Sequence, residues 1–260
     1  MPITDENLIL LSICFFVIAL LYASVGFAGG SGYLAVLSLF SVSFFAIRTI
    51  ALVCNLTVVT GGNFLYYKNG HFDLKKFMPF VVTSIPMAFI GTSFRLEEGM
   101  FFALLGLTLI ISSTLFGSQI LRDRSIRLTA RKYPIWVICL LGAGIGFLAG
   151  LVGIGGGIFL VPILNQMRWD YSIKIAALAT FFILVNSISG IAGLLVHDMF
   201  VVSWRSILLL MAAVLLGGQI GSRMSIGKLT GKRIKLTTAI LMFLIGIKVL
   251  LNDGLHLITI

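Results

Sequence analysis

Long apolar runs with few charges constrain this chain more than any other feature. Eight of them approach the length of about 20 residues that an α-helix needs to cross a bilayer: 8–25, 48–67, 76–94, 99–117, 135–152, 173–196, 204–222 and 233–252. The runs are continuously apolar instead of alternating with polar residues, which favours helices over a β-barrel. Because 59% of the residues are hydrophobic and only 11% are charged, we expect an all-α, polytopic membrane protein.

Two glycine clusters interrupt this apolar sequence. The larger occupies 150–157 and includes three consecutive glycines, and the other occupies 26–32. Each interior glycine costs a helix about 1 kcal/mol relative to alanine, so consecutive glycines predict that a helix ends and restarts. Two shorter apolar segments, 33–46 and 156–166, follow the clusters directly. They are short for full spans, so we expect half-helices or re-entrant arms.

The basic residues lie in short loops between the apolar runs. The net charge is +10, but this placement points to anionic lipid headgroups and argues against a nucleic-acid partner. The polar stretch 118–134 and the cluster 222–235 are both predicted to be cytoplasmic by the positive-inside rule, and 68–76 is a weaker third candidate. We expect a first transmembrane repeat at 1–117, a basic linker at 118–134 and a second repeat at 135–260.

The acidic residues, cysteines and histidines form no pattern that indicates catalysis or metal binding. Asp5 and Glu6 precede the first run with no Lys or Arg, which predicts a retained helix and not a cleaved signal. The three cysteines lie within apolar runs and do not have the spacing of metal ligands: Cys14, Cys54 and Cys139. The three histidines lie near the ends of the runs: His71, His197 and His256. No Asp or Glu lies deep within a run. We therefore expect no enzyme activity, no metal and no cofactor.

The second half of the chain repeats the order of features in the first. Gly30-Ser31-Gly32 aligns with Gly155-Gly156-Gly157, and Thr49 and Asn55 match Thr180 and Asn186 at the same spacing. An even number of crossings must separate the two basic clusters. Either the second glycine cluster joins two crossing segments, or 135–152 and 156–166 form a hairpin that does not cross. Both arrangements give each half an odd number of crossings, so the halves are predicted to have opposite orientation, as in many secondary transporters. We expect two inverted-topology repeats, each with about four full spans and one short broken or re-entrant helix.

The second glycine cluster and its flanks resemble the signature of a known family. The stretch is Gly150-Leu151-Val152-Gly153-Ile154-Gly155-Gly156-Gly157-Ile158-Phe159-Leu160-Val161-Pro162, and it is followed by Ala179-Thr180, Asn186, Gly190 and Trp204. These residues resemble the TauE/SafE sulfite exporter family, also called the toluene-sulfonate uptake permease family. The first-half copy departs from the pattern, with Gly29-Gly30-Ser31-Gly32 in place of a cleaner glycine triplet. The resemblance implies transport of sulfite, thiosulfate or an organosulfonate across a bacterial cytoplasmic membrane.

The breaks are the predicted anion site. A helix N-terminus offers unpaired N–H groups and about half a positive charge. Helices that begin near Tyr33 and Ile158 in inverted halves would bring two such ends together near the midplane. The candidate substrate ligands are Gly29, Gly30, Ser31, Gly32, Asn55, Thr57, Gly153, Gly155, Gly156, Gly157, Thr180 and Asn186. Arg48 is a candidate for the anion pathway, with snorkelling to the headgroups as its alternative.

Packing offers a second interpretation of these residue types. The amides and hydroxyls can instead join helices by hydrogen bonds, and the four-spaced glycines suit close helix contacts: Gly142, Gly146, Gly150, Gly217 and Gly221. Such contacts could form within one bundle or between the copies of a homodimer.

The favoured hypothesis is a secondary transporter, an exporter of a small sulfur-containing anion that works by alternating access. An anion channel and a non-transporting scaffold subunit are the alternatives, and an intramembrane enzyme fits less well. A transporter predicts a polar pocket where the breaks meet Asn55 and Asn186, whereas a scaffold predicts none.

Overall fold

The apolar runs form α-helices. The computed structural model describes residues 5–40, 44–94, 96–121, 131–201, 204–227 and 232–254. Over these residues the helices are α1 (Asp5–Ser24), α2 (Gly30–Ser38), α3 (Phe44–Lys68), α4 (Leu74–Ser93), α5 (Glu98–Leu121), α6 (Ile135–Val152), α7 (Gly157–Met167), α8 (Ser172–Val196), α9 (Trp204–Ile226) and α10 (Lys232–Lys248), which continues as a π-helical turn at Val249–Gly254. Eight of the described helices are long and apolar enough to cross a membrane. The prediction of an all-α, polytopic membrane protein is confirmed.

Two predicted boundaries differ from the structure. The short segment predicted at 33–46 is wrong at its end, because α2 stops at Ser38 and α3 already begins at Phe44. Residues on both sides of this gap are apolar, so hydropathy gives no signal for it. At the predicted linker 118–134, α5 continues to Leu121, and residues 122–130 lie outside the described part of the chain.

The outer surface of the bundle is apolar. Leu140, Leu216 and Leu244 point outward from three long helices and are well exposed. Exposed apolar side chains in such numbers suit contact with lipid tails. The interior of the bundle is packed with aromatic and aliphatic side chains, to which every long helix contributes.

Helix pairs pack closely at glycines, and the contacts give their directions. On α6 and α9, four-spaced glycines lie against four-spaced residues of a partner helix: Gly142 on Phe80, Gly146 on Ser84, Gly150 on Ala88, Gly217 on Phe16 and Gly221 on Leu20. Since both numbers rise together, α6 runs parallel to α4 and α9 runs parallel to α1. The packing role predicted for these glycines is confirmed, because a Cβ on Gly146 would lie 2.6 Å from Ser84 Cα.

The other two main pairs are antiparallel. Leu52 of α3 lies against Gly190 of α8, whereas Asn63, further along α3, bonds Thr180, which comes earlier in α8. In the same way α5 and α10 meet at Gly106 with Gly246 and at Gly117 with Ala239. Other helices of one half also pack on helices of the other half, in matching pairs. The pair α4–α8 matches the pair α9–α3, and the pair α7–α5 matches the pair α2–α10.

One end of the bundle, which we call the basic face, collects the positive charges. Its described basic residues are Lys68, Lys75, Lys76, Arg131, Lys132, Arg168, Lys174, Arg223, Lys232, Arg233 and Lys235. Bonds between loops hold this end together: Lys76 Nζ donates to Asp170 Oδ2 at 2.7 Å, and Arg131 N–H donates to the Arg168 carbonyl at 3.0 Å. At the opposite end, His197 bonds Ser93 at 2.7 Å.

The α6–α7 segment is a hairpin with both ends at the basic face. Tyr133, just before α6, donates its hydroxyl to the carbonyl of Met167 at the end of α7, at 2.6 Å. The glycine break therefore lies at the far tip of a hairpin, a geometry that both arrangements left open by the sequence share, and α6 is itself long and apolar enough to cross a membrane. In the first half, α2 likewise folds back along α1, since the rings of Phe15 and Tyr33 stack 4.5 Å apart.

Candidate functional site

Both glycine clusters end one helix and start another. Gly29 is the N-cap of α2 with φ of 101°, and Gly156 is the N-cap of α7 with φ of 85°. Such left-handed backbone suits glycine and strains other residues. The predicted breaks are confirmed, but the helix starts change the alignment of the halves: Gly30 corresponds to Gly157, two residues beyond its predicted match.

The two N-termini leave backbone donors unused by their own helices. The first backbone bonds into α2 and α7 come from Tyr33 N–H to the Gly29 carbonyl at 3.0 Å and from Phe159 N–H to the Gly156 carbonyl at 3.1 Å. The N–H groups before these points have no partner within the helix and carry its partial positive charge.

Asn55 of α3 contacts both breaks. Its side chain is 0% exposed, and its Nδ2 donates to the Ile154 carbonyl at 3.0 Å. A Cβ on Gly30 would collide with the same amide, and a Cβ on Gly155 would lie 3.4 Å from its Nδ2. The structure thus brings together three of the predicted site residues, one from each break and one from a span.

Asn186 and Ser187 lie level with Asn55 on the antiparallel helix α8. A Cβ on Gly155 would lie 3.2 Å from Ser187 Oγ, and Asn186 is 1% exposed. Ser187 is not among the predicted residues, and its match in the first half is the apolar Leu56. Its position next to Asn186 is the one feature of the sequence that points to Ser187 as a site residue.

Several buried polar atoms in this region have no partner in the protein. They are Asn55 Oδ1, Asn186 Nδ2, Asn186 Oδ1 and Ser187 Oγ, whereas Ser31 pairs with the Tyr22 hydroxyl. An unsatisfied buried polar group costs about 1–3 kcal/mol, so each such atom calls for an explanation. We call Asn55, Asn186 and Ser187, together with Gly30 and Gly155, the polar cluster.

Arg48 lies at the second break, towards the end away from the basic face. It is 0% exposed, and its Nη2 donates to the Gly150 carbonyl at 3.0 Å. A Cβ on Gly153 would lie 3.6 Å from its side chain. The snorkelling alternative is therefore wrong. Among the described residues within spans, Arg48 is the charged side chain that is buried.

Two predicted ligands lie elsewhere. Thr180 pairs with Asn63, whose Nδ2 donates to the Thr180 carbonyl at 3.1 Å while the Thr180 hydroxyl bonds Asn63 Oδ1 at 3.2 Å. Thr57 bonds the Val53 carbonyl of its own helix at 2.9 Å and lies on another face of α3 from Asn55. The remaining predicted glycines pack on apolar side chains: Gly29 on Tyr33, Gly32 on Ile18, Gly156 on Phe182 and Gly157 on Ile183.

The polar cluster is closed to solvent. Two cavities are described elsewhere in the structure, and neither Asn55 nor Asn186 lines them. The polar pocket predicted where the breaks meet these two asparagines is therefore not among the described cavities. One, of about 250 Å³, opens near the basic face. The other, of about 680 Å³, is an apolar groove between α4 and α8 that includes Pro86 and Ile188.

Comparison with known proteins identifies the family. The family described as "Sulfite exporter TauE/SafE" matches residues 11–249. The chain belongs to the TauE/SafE sulfite exporter family. As a member with eight apolar helices long enough to span a bilayer among the described residues, this TauE/SafE protein is an integral membrane protein.

Two curated relatives of this TauE/SafE protein carry transporter names. A Sinorhizobium fredii protein named "Probable membrane transporter protein y4hK" is 33% identical over 251 residues, which cover 95% of this chain and 99% of the relative. A Bacillus subtilis protein named "Probable membrane transporter protein YunE" is 27% identical over 228 residues, 81% of each chain. No solved structure matches this TauE/SafE protein significantly.

Proposed function

We propose that the protein is a secondary transporter that exports a small sulfur-containing anion such as sulfite, thiosulfate or an organosulfonate. The anion binds at the polar cluster, between the N-termini of α2 and α7, and the two halves of the chain expose it to either side in turn. The family description supports the transporter class and the sulfur chemistry.

The unpartnered buried atoms of Asn186 and Ser187 carry this proposal. An oxyanion accepts hydrogen bonds, and the Asn186 amide and the Ser187 hydroxyl are donors without a protein partner. Backbone N–H groups at two helix starts add further donors without a full charge. Arg48 contributes positive charge at the second break, and no described span buries a carboxylate that would repel an anion.

The helix directions support inverted repeats. If α1–α5 correspond to α6–α10, the parallel pair α1–α9 corresponds to the parallel pair α6–α4. The pairs α3–α8 and α5–α10 each join an element to its own counterpart, and both are antiparallel. A two-fold axis in the membrane plane would produce this pattern, and it is the usual basis of alternating access around a central site.

The closed state of the site favours a transporter over an open channel. Asn55 and Asn186 are 0% and 1% exposed, so no continuous water path reaches them. The charge distribution supports a cytoplasmic location of the basic face, because short loops rich in Lys and Arg stay inside.

The decisive experiment measures flux in proteoliposomes. Purified protein is reconstituted, and uptake of radiolabelled sulfite, thiosulfate, sulfate, toluenesulfonate and acetate is compared with that of empty vesicles. We expect saturable flux of at least one sulfur anion and little of acetate. Well-folded protein that moves none of these anions would contradict the proposal, and flux that never saturates would favour a channel.

A further inference from the structure

The cavity of about 250 Å³ near the basic face lies directly below the first glycine break. Its wall comes from five elements: the end of α1, the α3–α4 turn, and the ends of α8, α9 and α10 that lie at this face. Among its lining residues are Ser24, Val25, His71, Ala176 and Lys235. Its volume is several times the roughly 30 Å³ of one water molecule, so it has room for a small oxyanion with part of its hydration shell.

The lining suits an anion. Lys235 provides a half-buried positive charge and His71 a second nitrogen donor, and no carboxylate is among the described residues that line the cavity. The first turn of α8 also faces it, through Ser172 and Ile173. The first backbone bond of that helix runs from Lys174 N–H to the Tyr171 carbonyl at 2.9 Å. The N–H groups of Ser172 and Ile173 come before it and therefore have no acceptor within the helix. The positive end of a long helix, partly offset by the Asp170 carboxylate that accepts from the Tyr171 N–H at 2.8 Å, therefore adds to the charge of Lys235.

The inner wall of the cavity belongs to the break that also forms the site. Val25 and Ala176 line the cavity, and the next residue, Gly26, is packed so tightly on Ala176 that a Cβ there would lie 2.6 Å from Ala176 Cβ. The other end of the same turn is Gly30, which contacts Asn55. The turn 25–29 and the Asn63–Thr180 pair of α3 and α8 thus lie between the cavity and the polar cluster. At the other break, Arg48 binds the Gly150 carbonyl.

We propose that this cavity is an entry site where the oxyanion binds from the basic face, held by Lys235 and His71, before it passes the turn 25–29. The inference rests on the proposed function for the identity of the ion. It adds a second anion site, on one side only, that is distinct from the polar cluster.

The first test changes the charge of the cavity and measures flux from each side. Lys235→Gln is compared with Lys232→Gln, an exposed lysine of the same helix that does not line the cavity. We expect Lys235→Gln to raise the half-saturating concentration about fivefold for anion offered at the basic face. The half-saturating concentration for anion offered at the opposite side should not change. Equal values for the two variants, or an equal change from both sides, would overturn the entry site.

A second test does not depend on flux. Ser225→Cys places a thiol in the cavity, and Ser93→Cys places one at the opposite end, both in a protein whose Cys14, Cys54 and Cys139 are replaced by alanine. A negatively charged methanethiosulfonate reagent should label Ser225→Cys about fivefold faster than a positively charged one. Lys235→Gln should abolish this preference, and methanesulfonate should slow the labelling.

The two tests separate the two proposals. Transport without anion preference or protection at Ser225→Cys would contradict the entry site and leave the proposed function intact. If Ser225→Cys is labelled faster by the negatively charged reagent and protected by methanesulfonate, but no anion is transported, the cavity binds anions and the proposed function is contradicted.

Discussion

The side chain of Asn55 donates from Nδ2 to the Ile154 carbonyl at 3.0 Å and lies against Gly30, so one amide contacts both helix breaks. These breaks belong to different halves of the chain. Any movement of one half against the other must therefore change the contacts of Asn55. Its Oδ1 has no protein partner, which places an unsatisfied acceptor at the same point.

Replacement of Asn186 by leucine separates ligand binding from packing. Leucine keeps the volume and removes two polar atoms that have no protein partner, so stability should be unchanged or slightly higher. If the amide binds the anion, the loss of about 1.5–3 kcal/mol raises the half-saturating concentration about 10- to 100-fold. Flux kinetics and thermal unfolding in detergent measure the two effects.

The matched control is Asn63→Leu on α3. Asn63 is also buried, but its amide is bonded to Thr180, so this variant should lose about 1–3 kcal/mol of stability and keep its affinity for the anion. A fall in stability for Asn186→Leu with unchanged affinity would instead show that Asn186 is a packing residue.

Hydropathy and glycine content predicted the architecture well because both act locally. The apolar runs correspond to helices within a few residues, and the glycine clusters at 26–32 and 150–157 break helices as expected. The glycine pairs at 61–62 and 217–218, by contrast, continue α3 and α9. The gap between Ser38 and Phe44 was missed because it contains neither glycine nor proline.

The site was only partly predictable, because it depends on which helix faces meet. Asn55 and Asn63 are both buried asparagines on α3, yet one contacts the breaks and the other binds Thr180. Nothing in their own sequence distinguishes them. Thr180 was predicted as a ligand because it lies near Asn186 in the sequence, and Ser187, the neighbour of Asn186, was not predicted.

Gly156→Leu tests whether the shape of the second break is needed. A leucine at φ of 85° is strained by about 1–2 kcal/mol, and its side chain would collide with the Phe182 ring. We expect flux to fall below detection. Gly144→Leu on α6 is the control, since a Cβ there meets no atom within 4 Å, and it should transport normally. Equal flux from the two variants would refute the role of the break.

Gly146→Ala tests the packing of α6 on α4. A Cβ at this position would lie 2.6 Å from Ser84 Cα, so the two backbones must separate and lose contacts along their length. We expect a loss of about 1–3 kcal/mol, as for other overpacked sites. Gly144→Ala adds the same methyl group in open space and should instead gain up to about 1 kcal/mol from helix propensity. Thermal unfolding of the two variants side by side measures the difference.

The Asp170–Lys76 bond predicts an acid-sensitive stability. Burial alone would raise the pKa of the Asp170 carboxyl, but hydrogen bonds from Lys76 and from the Tyr171 N–H outweigh it and lower the pKa below the ordinary 3.8. A carboxyl with a lowered pKa stabilises the fold above its ordinary value, and this contribution disappears as the pH falls through the lowered value. Because the Lys76 side chain is 48% exposed, solvent screening limits the effect to about 1 kcal/mol.

Asp170→Asn should therefore lower the unfolding temperature at neutral pH. The difference from wild type should shrink as the pH falls below about 4. Asp198→Asn, which changes an exposed aspartate at the opposite end, is the control and should follow wild type throughout. A difference for Asp170→Asn that stays constant with pH would mean that the ionised carboxylate is not what stabilises this contact.

Arg48 is the residue at which charge and hydrogen bonding can be separated. Arg48→Met removes both the charge and the bond to the Gly150 carbonyl, and we expect anion flux to fall at least about tenfold, equivalent to 1.4 kcal/mol. Arg48→Lys keeps the charge but not the planar guanidinium geometry, so it should retain more flux than Arg48→Met at a raised half-saturating concentration. Thermal unfolding of both variants shows how much of the loss is structural. If the two variants lose stability equally and transport equally, Arg48 only holds α3 to the end of α6, and its charge plays no part in the anion pathway.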